Sequence, residues 1–290
     1  MISGILNINK PSGITSHDVV KVIRKIFKGQ KIGHTGTLDP LASGVLPICI
    51  GKATKLSDIL TAKDKKYRVK CLLGVETDTY DITGKVVEAG IVDKDEIYIK
   101  ERIKRFIGKQ QQIPPIYSAI KVNGKKLYEY ARENKEIEIK PRDIEIFSID
   151  NIKYDKSSHE VSFDVHCTKG TYIRSLVHDI GIKLGTKATM TALTRLKSGN
   201  FLIEDSVDMQ EFLEMQYPEM LEKVITIEEY YKENKKVVLS EEDVVHFING
   251  MTIEVEGLDN KIVRVYQGKK FIGIGTVKEN HLKRYLVEEE

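Results

Sequence analysis

The chain has 290 residues, of which 41% are hydrophobic and 31% are charged, and its formal net charge is +3. This length suggests about two domains at ~150 residues each, and the hydrophobic content excludes an intrinsically disordered protein. No apolar run approaches the ~20 residues of a membrane-spanning helix, and no signal peptide opens the sequence. We therefore expect a cytoplasmic protein that does not associate with membranes.

The three cysteines, Cys49, Cys71 and Cys167, are far apart and each lies in an apolar stretch. An odd number of cysteines without CxxC spacing argues against a disulfide framework or a zinc site. The sequence predicts that they are buried free thiols.

Charge is distributed unevenly along the sequence. Val19 to Leu38 contains five Lys or Arg and no acid, Lys52 to Lys70 contains seven basic and two acidic residues, and Leu202 to Tyr230 contains nine acids and one lysine. Because phosphate contacts supply most of the affinity of proteins for nucleic acids, the basic segments indicate a polyanion partner. Charge alone is equally compatible with solvated helix faces.

The N-terminal half shows mixed helical and strand patterns. Thr15 and Asp18 fit a capping box, and the apolar residues behind it recur at helical spacing up to Phe27, with Gly29 ending an amphipathic helix that has a basic outer side. The further predicted elements are strands at Val45 to Ile50, Tyr67 to Leu73 and Lys85 to Glu88, a helix at Asp93 to Ile107, and a short helix at Lys125 to Glu133.

The pattern of predicted elements in the C-terminal half changes near Lys236. Before that point the sequence predicts strands at Ile144 to Ile152 and Val161 to Thr168 and a helix at Thr171 to Leu184. After it, a helix capped by Ser240 is followed by short alternating segments, typical of a small β-rich domain. Because no βαβ rhythm appears, we expect an α+β fold with an antiparallel sheet, divided into domains 1–235 and 236–290.

The most informative stretch runs from Gly33 to Pro47. Its three glycines permit positive φ angles and a close approach of another backbone. Asp39 lies between Leu38 and Pro40, just ahead of an apolar strand, and a stiff loop that partly desolvates a carboxylate suits a nucleophile. An ordinary Asp-Pro turn explains the same residues.

A partly desolvated carboxylate needs an opposite charge to remain ionised. Arg174, in the first turn of the helix at Thr171 to Leu184, is the best candidate, although spacing alone is more typical of a surface cation. Tyr67 stands among Lys65, Lys66 and Arg68, the local chemistry of base stacking beside phosphate contacts, and these cations would favour a phenolate. An ordinary strand tyrosine is the alternative.

The segment Glu76 to Asp81 gathers three carboxylates, which raises the question of a divalent-metal loop. It lacks the glycine and the terminal glutamate of an EF-hand loop, so a structural turn is the favoured interpretation. The glycines of Gly33 to Gly44 also lack the order of a phosphate-binding loop.

Taken together, these stretches resemble the TruB family of pseudouridine synthases, in order and over most of the chain. The matching segments are Asn9 to Ser16, Gly33 to Pro47, Lys66-Tyr67, Gln112 to Ala119, Cys167 to Leu176 and Leu193 to Phe201. Leu193-Thr194-Arg195-Leu196 departs from the family's usual Leu-Arg-Arg-Thr, which leaves the contacts of the first arginine in doubt. The C-terminal domain is similar to a PUA domain, a small RNA-binding barrel, but more weakly.

The resemblance implies a pseudouridine-synthase fold with a central mixed, mainly antiparallel sheet. It also implies that a monomer converts uridine to pseudouridine in the T-loop of tRNA (tRNA position 55) by base flipping, with neither cofactor nor metal nor obligatory protein partner. Asp39 is then the nucleophile, Arg174 its ion-pair partner, and Tyr67 stacks on the flipped uracil. The residues implied in substrate binding beside Tyr67 are His34, Tyr172, Leu193 and Lys10, with Lys10 supporting the site through the first motif.

Three other functions compete with this interpretation. A guide-RNA-dependent relative, the catalytic subunit of an RNA–protein complex, shares the central motifs. The insertion at about 112–142 favours the stand-alone tRNA form, because it supplies RNA contacts that a guide complex would provide. A non-catalytic RNA-binding protein and a carboxylate-nucleophile phosphatase are the remaining alternatives, and the DxD arrangement of the latter is absent around Asp39.

Overall fold

A computed structural model describes residues 2–133, 135–258 and 261–288. Residue 134 of the predicted insertion, and residues 1 and 290 at the ends of the two predicted domains, lie outside these ranges. The described helices are α1 (Ser16–Ile26), α2 (Ser57–Thr61), α3 (Glu96–Lys104), α4 (Leu127–Arg132), α5 (Ile173–Leu184), α6 (Met209–Glu214), α7 (Tyr217–Glu222), α8 (Ile227–Tyr230) and α9 (Glu241–Ile248), with a 3-10 helix at Gly51–Leu56. None of them is both long and apolar enough to cross a membrane.

The strands are shared between two larger sheets and two short ribbons. In chain order they are β1 (Gly4–Lys10), β2 (Ile32–His34), β3 (Ser43–Ile50), β4 (Lys65–Leu73), β5 (Val75–Thr77), β6 (Val86–Ala89), β7 (Gly108–Gln112), β8 (Lys121–Val122), β9 (Lys125–Lys126), β10 (Arg142–Asp155), β11 (Glu160–Cys167), β12 (Ala188–Ser198), β13 (Phe201–Leu202), β14 (Val207–Asp208), β15 (Val224–Thr226), β16 (Lys236–Leu239), β17 (Ile253–Glu254), β18 (Lys261–Gln267), β19 (Lys270–Lys278) and β20 (His281–Val287).

Eleven of the described strands form one central sheet. Its order is β14-β1-β3-β12-β4-β11-β10-β7, with β13 paired to β12, β15 to β1 and β2 to β3. Neighbouring strands are antiparallel except for the pairs β1–β14 and β12–β3, which are parallel. The predicted α+β fold with a mixed, mainly antiparallel sheet is therefore confirmed.

The two helices that flank the active-site motifs form as predicted. The Thr15 side chain accepts from the Asp18 N–H and closes the predicted capping box of α1, which buries Val19 and Ile23 and leaves its basic side in solvent. Helix α5 ends at Gly185 in the left-handed conformation that favours glycine. Both helices bury their apolar stripes in the main hydrophobic core, and each fully buried Val, Leu or Ile contributes roughly 1.5–3 kcal/mol.

Strand β12 is the largest element that the sequence analysis did not predict, and it lies between β3 and β4 at the centre of the sheet. Two register shifts interrupt its pairing with β4, between Met190 and Ala192 and between Arg195 and Lys197. These bulges break the alternation of buried and exposed residues that identifies a strand in a sequence. Strand β1 was also missed, because it is buried almost throughout and shows no alternation.

Two predicted helices are shorter in the structure than the sequence suggested. The helix expected at Asp93 to Ile107 is α3, Glu96–Lys104, which begins after the N-cap residue Asp95. The helix expected at Lys125 to Glu133 is α4, Leu127–Arg132, because Lys125 and Lys126 first pair with β8 as strand β9.

A second sheet, β16-β18-β19-β20-β17, gathers the described strands from Lys236 onwards, so the predicted β-rich C-terminal domain is present. Phe247 of α9 is buried in its core. Ile274 and Leu286 are buried instead in a cluster with Ile5 and Val45 of the central sheet, so the C-terminal sheet packs directly on the rest of the chain.

Cys49, Cys71 and Cys167 are all buried and unpaired, as predicted. Burial raises the pKa of each of these thiols to about 12, because an apolar environment disfavours the thiolate.

Candidate active site

Asp39 lies in the loop that joins β2 to β3, and the N-terminal motif fixes this loop. The Gly13 N–H donates to the Pro40 carbonyl over 2.8 Å, and the Leu38 N–H donates to the Ser16 hydroxyl over 2.9 Å. The residues on both sides of Asp39 are therefore tied to the segment from Gly13 to Ser16, which defines the direction of the carboxylate.

Lys10 stabilises the same loop through hydrogen bonds. Its side chain is fully buried, and its ammonium group donates to the carbonyls of Pro11 and Ile14 over 2.8 Å each and to that of Pro40 over 3.5 Å. Burial lowers the pKa of Lys10 to about 8, and the Asp39 charge acts in the opposite direction. Lys10 is not among the described residues that line the cavity at Asp39, and its bonds to the neighbouring carbonyls fit a supporting role.

The glycines of this stretch allow β3 to approach β12 closely. Gly44 has a φ of +102°, and a Cβ at this position would lie 2.3 Å from the Arg195 carbonyl oxygen. No larger residue fits such a contact without displacing the backbone. Gly36 also has a positive φ, of +80°. The predicted positive φ angles and close approach are confirmed at Gly44.

Arg174 is the second residue of α5, and its guanidinium contacts three separate parts of the chain. Nε lies 2.9 Å from the Asp39 Oδ2, Nη1 donates to the Thr79 carbonyl over 3.2 Å, and Nη2 donates to the Tyr117 carbonyl over 2.9 Å. The Arg174 side chain is 7% exposed and that of Asp39 is 38% exposed. The structure thus brings the two predicted residues together, with the cation buried and the carboxylate facing the cavity.

Asp81 is a further neighbour of Arg174 that the sequence analysis assigned only to a turn. Its Oδ2 lies 3.6 Å from Arg174 Nη1, while its Oδ1 accepts from the Thr79 hydroxyl and the Thr83 N–H over 3.0 Å each. Asx-type bonding of this kind is typical of a tight turn. Nothing in the spacing of Glu76 to Asp81 signalled the contact with Arg174, which depends on the fold.

Among the described residues, no group of three His, Cys, Asp or Glu side chains is arranged to hold a metal ion. The carboxylates of the segment Glu76 to Asp81 have protein partners instead. Glu76 pairs with Lys187 over 3.0 Å, and Asp78 accepts from the Lys85 N–H over 2.8 Å. Glu76 and Thr77 thus belong to strand β5, and Asp78 to Asp81 form the turn that follows it.

Tyr67 lies on β4 with its side chain buried in the cavity wall. Arg68, on the opposite face of the strand, pairs with Asp164 through two nitrogens at 2.9 and 3.1 Å. Lys65 shares the face of Tyr67, but its ammonium group donates to the Thr61 and Lys63 carbonyls.

The prediction that the cations next to Tyr67 in sequence favour a phenolate is therefore wrong. Burial is the largest effect and raises the pKa of Tyr67 above its usual value, because the phenolate loses its hydration. The cation that opposes this effect is Arg195, on the adjacent strand. At neutral pH the resting side chain is a phenol.

A cavity of about 1320 Å³ brings most of the predicted site residues together. Asp39, Tyr67, Arg174, His34, Tyr172 and Leu193 all line its wall. Burial, with Arg195 and His17, lowers the pKa of His34, so its ring is neutral.

The insertion is tied to the start of α5 beside this cavity. The Gln112 side chain donates to the Tyr172 carbonyl over 3.0 Å and accepts from its N–H over 2.8 Å. Ser175 donates from its hydroxyl to the Ile113 carbonyl over 2.8 Å. The first residues of the insertion therefore hold Tyr172 and Arg174 in place.

Arg195 also lines the cavity, and the sequence analysis gave it no role. It lies on β12, two residues after Leu193 and on the same face of the strand. Recognition of β12 as a strand would have placed Arg195 beside Leu193, since residues i and i+2 share a face. Two bulges hid that signal.

Comparison with known proteins identifies the family. The model described as "TruB family pseudouridylate synthase (N terminal domain)" matches residues 24–173. Two further models match residues 174–232, "tRNA pseudouridylate synthase B C-terminal domain", and residues 236–284, "Pseudouridine synthase II TruB, C-terminal". This chain belongs to the TruB family of pseudouridine synthases.

Curated TruB relatives match over almost their whole length. "tRNA pseudouridine synthase B" of Clostridium kluyveri is 46% identical over 288 residues, covering 97% of this chain and 98% of the relative. The protein of the same name from Fusobacterium nucleatum is 43% identical, covering 97% of this chain and 98% of the relative. The chain is an enzyme of this family, so the non-catalytic and phosphatase alternatives are wrong.

Solved structures of similar fold include a protein complex and a ribonucleoprotein. "Crystal Structure of a Cbf5-Nop10-Gar1 Complex" aligns with a TM-score of 0.71 and 26% identity, covering 99% of this chain and 84% of that chain. "Structure of H/ACA RNP bound to a substrate RNA containing 2'-deoxyuridine" aligns with a TM-score of 0.69 and 25% identity over 99% of this chain and 84% of that chain. The pseudouridine-synthase fold predicted from the TruB resemblance is confirmed.

Proposed function

We propose that this chain isomerises uridine to pseudouridine in the T-loop of tRNA, at tRNA position 55. The observation that carries the proposal is the 2.9 Å contact between Asp39 and the buried Arg174 at the wall of a large cavity. The TruB relatives of 43–46% identity named tRNA pseudouridine synthase B support tRNA as the substrate.

Asp39 is the nucleophile in this proposal. The reaction breaks the bond between uracil N1 and ribose C1′ and forms a bond between C5 and C1′, so the base must detach, rotate and remain trapped. A covalent adduct with the Asp39 carboxylate holds the intermediate, and attack on the ribose or on the uracil ring fulfils this role equally. Arg174 keeps the carboxylate ionised and directed into the cavity.

The target base must leave the folded T-loop before it can reach Asp39. Tyr67 and Leu193 then pack against the flipped uracil, and Tyr172 lines the pocket beside them. His34 fills the gap in the loop, because a neutral imidazole both stacks and forms hydrogen bonds. Lys10 acts indirectly, by fixing the Pro40 carbonyl next to Asp39.

The charge of the cavity wall supports a nucleic-acid partner. Of the described residues that line it, seven are Lys or Arg and three are Asp. The cations include Lys126, Arg132 and Arg142 from the insertion, which line the same cavity as Asp39. Cations that line a cleft attract the phosphate backbone that enters it.

The remaining features of the proposal follow from the reaction and from the relatives. Substrate and product are isomers, so the chemistry needs no co-reactant, and we infer that no cofactor takes part. The insertion at about 112–142 grips the T-arm, and domain 236–290 acts as a PUA-like RNA-binding domain behind catalytic domain 1–235. We infer a monomer that works in the cytoplasm on free tRNA, without guide RNA or protein partner.

The test is incubation of the purified chain with an unmodified tRNA transcript, followed by mapping of pseudouridine at single-nucleotide resolution. The proposal predicts near-complete modification at position 55 in the absence of any other protein or RNA. A transcript with cytidine at position 55 is the matched control and stays unmodified. Modification only after addition of a guide RNA would support the guide-dependent alternative and overturn the proposal.

A further inference from the structure

Arg195 has the largest side chain among the described residues that are fully buried, and it has no acidic partner there. It is 1% exposed, its Nε donates to the Val45 carbonyl over 2.6 Å, and its Nη2 donates to the Gly36 carbonyl over 3.0 Å. Burial lowers the pKa of Arg195 below its usual value, and the group that opposes this effect is the Tyr67 phenol rather than a carboxylate. Burial of a cation without a counterion costs desolvation free energy, so we expect Arg195 to have a function that offsets this cost.

The position of Arg195 indicates what that function is. It lies directly opposite Tyr67 in the pairing of β12 with β4, and both side chains line the cavity that contains Asp39. The charge of the guanidinium lowers the pKa of the Tyr67 hydroxyl, against the effect of burial. Burial, Cys167 on β11 and Asp39 all disfavour negative charge on that oxygen, whereas Arg195 favours it.

Arg195 is also held rigidly. Its two carbonyl partners belong to β3 and to the loop that carries Asp39, and Gly44 allows the Arg195 backbone to approach β3 without a side chain between them. The guanidinium therefore has a fixed position relative to both Asp39 and Tyr67. A fixed charge beside the point where charge develops needs no reorganisation during a reaction.

We propose that Arg195 is a positioning residue for the isomerisation, which orients the Tyr67 hydroxyl and stabilises negative charge on its oxygen. The proposal rests on the proposed function. The resting Tyr67 phenol first gives its proton to water, and the resulting phenolate takes the proton from C5 of the transferred uracil, while the C–H electron pair restores the C5=C6 double bond. N1 takes a proton from water, so Tyr67 ends as the phenol with which it began and the protons balance.

A double-mutant cycle tests this inference. Arg195→Lys and Arg195→Met are each made in the wild-type and in the Tyr67→Phe background, and single-turnover rates are measured on bound tRNA transcript. Loss of a charge-assisted hydrogen bond to Tyr67 should slow the Tyr67 enzyme at least about tenfold. The same substitutions should change the rate of the Tyr67→Phe enzyme by less than about twofold, since the partner oxygen is already absent.

The matched control is Arg68→Lys. Arg68 is adjacent to Tyr67 in sequence, but it pairs with Asp164 on the other face of β4, so the rate should stay close to that of wild type. Circular dichroism and tRNA affinity establish that each variant is folded. If Arg195→Met is not folded, the double-mutant cycle is completed with Arg195→Lys alone. Lysine keeps a cation at the buried position but lacks the planar guanidinium.

A rescue experiment separates stabilisation of charge from mere packing. Incorporation of 3,5-difluorotyrosine at position 67 makes the phenol more acidic without changing its shape greatly. It should restore most of the rate that Arg195→Lys loses at neutral pH. Absence of rescue, or equal losses in the Tyr67 and Tyr67→Phe backgrounds, would overturn the inference. A wild-type chain that forms no pseudouridine in tRNA would instead refute the proposed function.

Discussion

Arg174 and Asp39 form an ion pair in which the cation is buried and the carboxylate is accessible. The distance from Nε to Oδ2 is 2.9 Å, with the Arg174 side chain 7% exposed and that of Asp39 38% exposed. The other two guanidinium nitrogens are bound to the Thr79 and Tyr117 carbonyls. The arginine therefore acts as a junction between the Asp39 loop, the turn at Thr79 and the insertion, and it does not grip Asp39 bidentately.

Substitution of Arg174 by lysine should remove most of the activity. One ammonium group cannot reach three acceptors on three separate elements, so Asp39 loses its fixed direction and buried carbonyls lose their donors. Hydrogen bonds to charged groups are worth up to about 3 kcal/mol, which corresponds to a rate loss of about a hundredfold. Single-turnover kinetics on tRNA transcript measures the loss, and rates within a few-fold of wild type would show that Arg174 does not direct Asp39.

Substitution of Gly44 by alanine should destabilise the whole chain. The new Cβ would lie 2.3 Å from the Arg195 carbonyl oxygen, at a φ of +102°. Overpacking and an unfavourable backbone conformation together should cost about 2–4 kcal/mol in the free energy of unfolding.

Gly185→Ala is the matched control for this comparison. Gly185 also has a positive φ, of +72°, but a Cβ there meets nothing within 4 Å. Gly185→Ala should therefore lower the free energy of unfolding by only about 1 kcal/mol. Urea unfolding of both variants decides the point, and equal midpoints would mean that the approach of β3 to β12 is not a tight constraint.

Tyr67→Phe separates stacking from proton transfer. The phenyl ring keeps the face on which a base can stack, whereas the oxygen that accepts the proton is lost. Tyr67→Phe should bind tRNA almost normally and react at least ~100-fold more slowly. Tyr67→Leu should lose affinity as well, because stacking is worth ~1–3 kcal/mol per base. A Tyr67→Phe rate within a few-fold of wild type would leave Tyr67 as a stacking platform only.

Chelation should not affect the chemistry on folded tRNA. The carboxylates Glu76, Asp78 and Asp81 each have protein partners, and Asp81 also contacts Arg174. We therefore expect equal single-turnover rates with and without EDTA, measured after the tRNA has been refolded and freed of excess magnesium. Loss of activity that zinc or manganese alone restores would establish a metal requirement.

Local signals in the sequence were sufficient for much of the fold but not for the central pair of the site. The capping box at Thr15 and the glycine at position 185 mark helix ends through short-range bonding, which a sequence displays directly. Arg174 was proposed as the partner of Asp39 from the need for a counter-charge and then from the resemblance to a family, and their contact in space joins residues 135 positions apart, which no periodicity reveals.

The environment of Tyr67 could not be predicted in the same way. The cations next to it in sequence face elsewhere or bind carbonyls, and the cation that lowers the pKa of Tyr67 comes from β12, which was not recognised as a strand. Two bulges in β12 disrupt the alternation on which strand prediction depends. Asp81 likewise became a neighbour of Arg174 only through the folding of its turn onto α5.

The most direct test of the account compares wild-type protein with Asp39→Asn on the same unmodified tRNA transcript, with pseudouridine mapped at position 55 and tRNA affinity measured in parallel. The amide keeps the shape of the side chain and loses the nucleophile. The account predicts modification by the wild-type chain, no turnover by Asp39→Asn, and affinities that agree within several-fold. Multiple turnover by Asp39→Asn protein free of wild-type enzyme would contradict it.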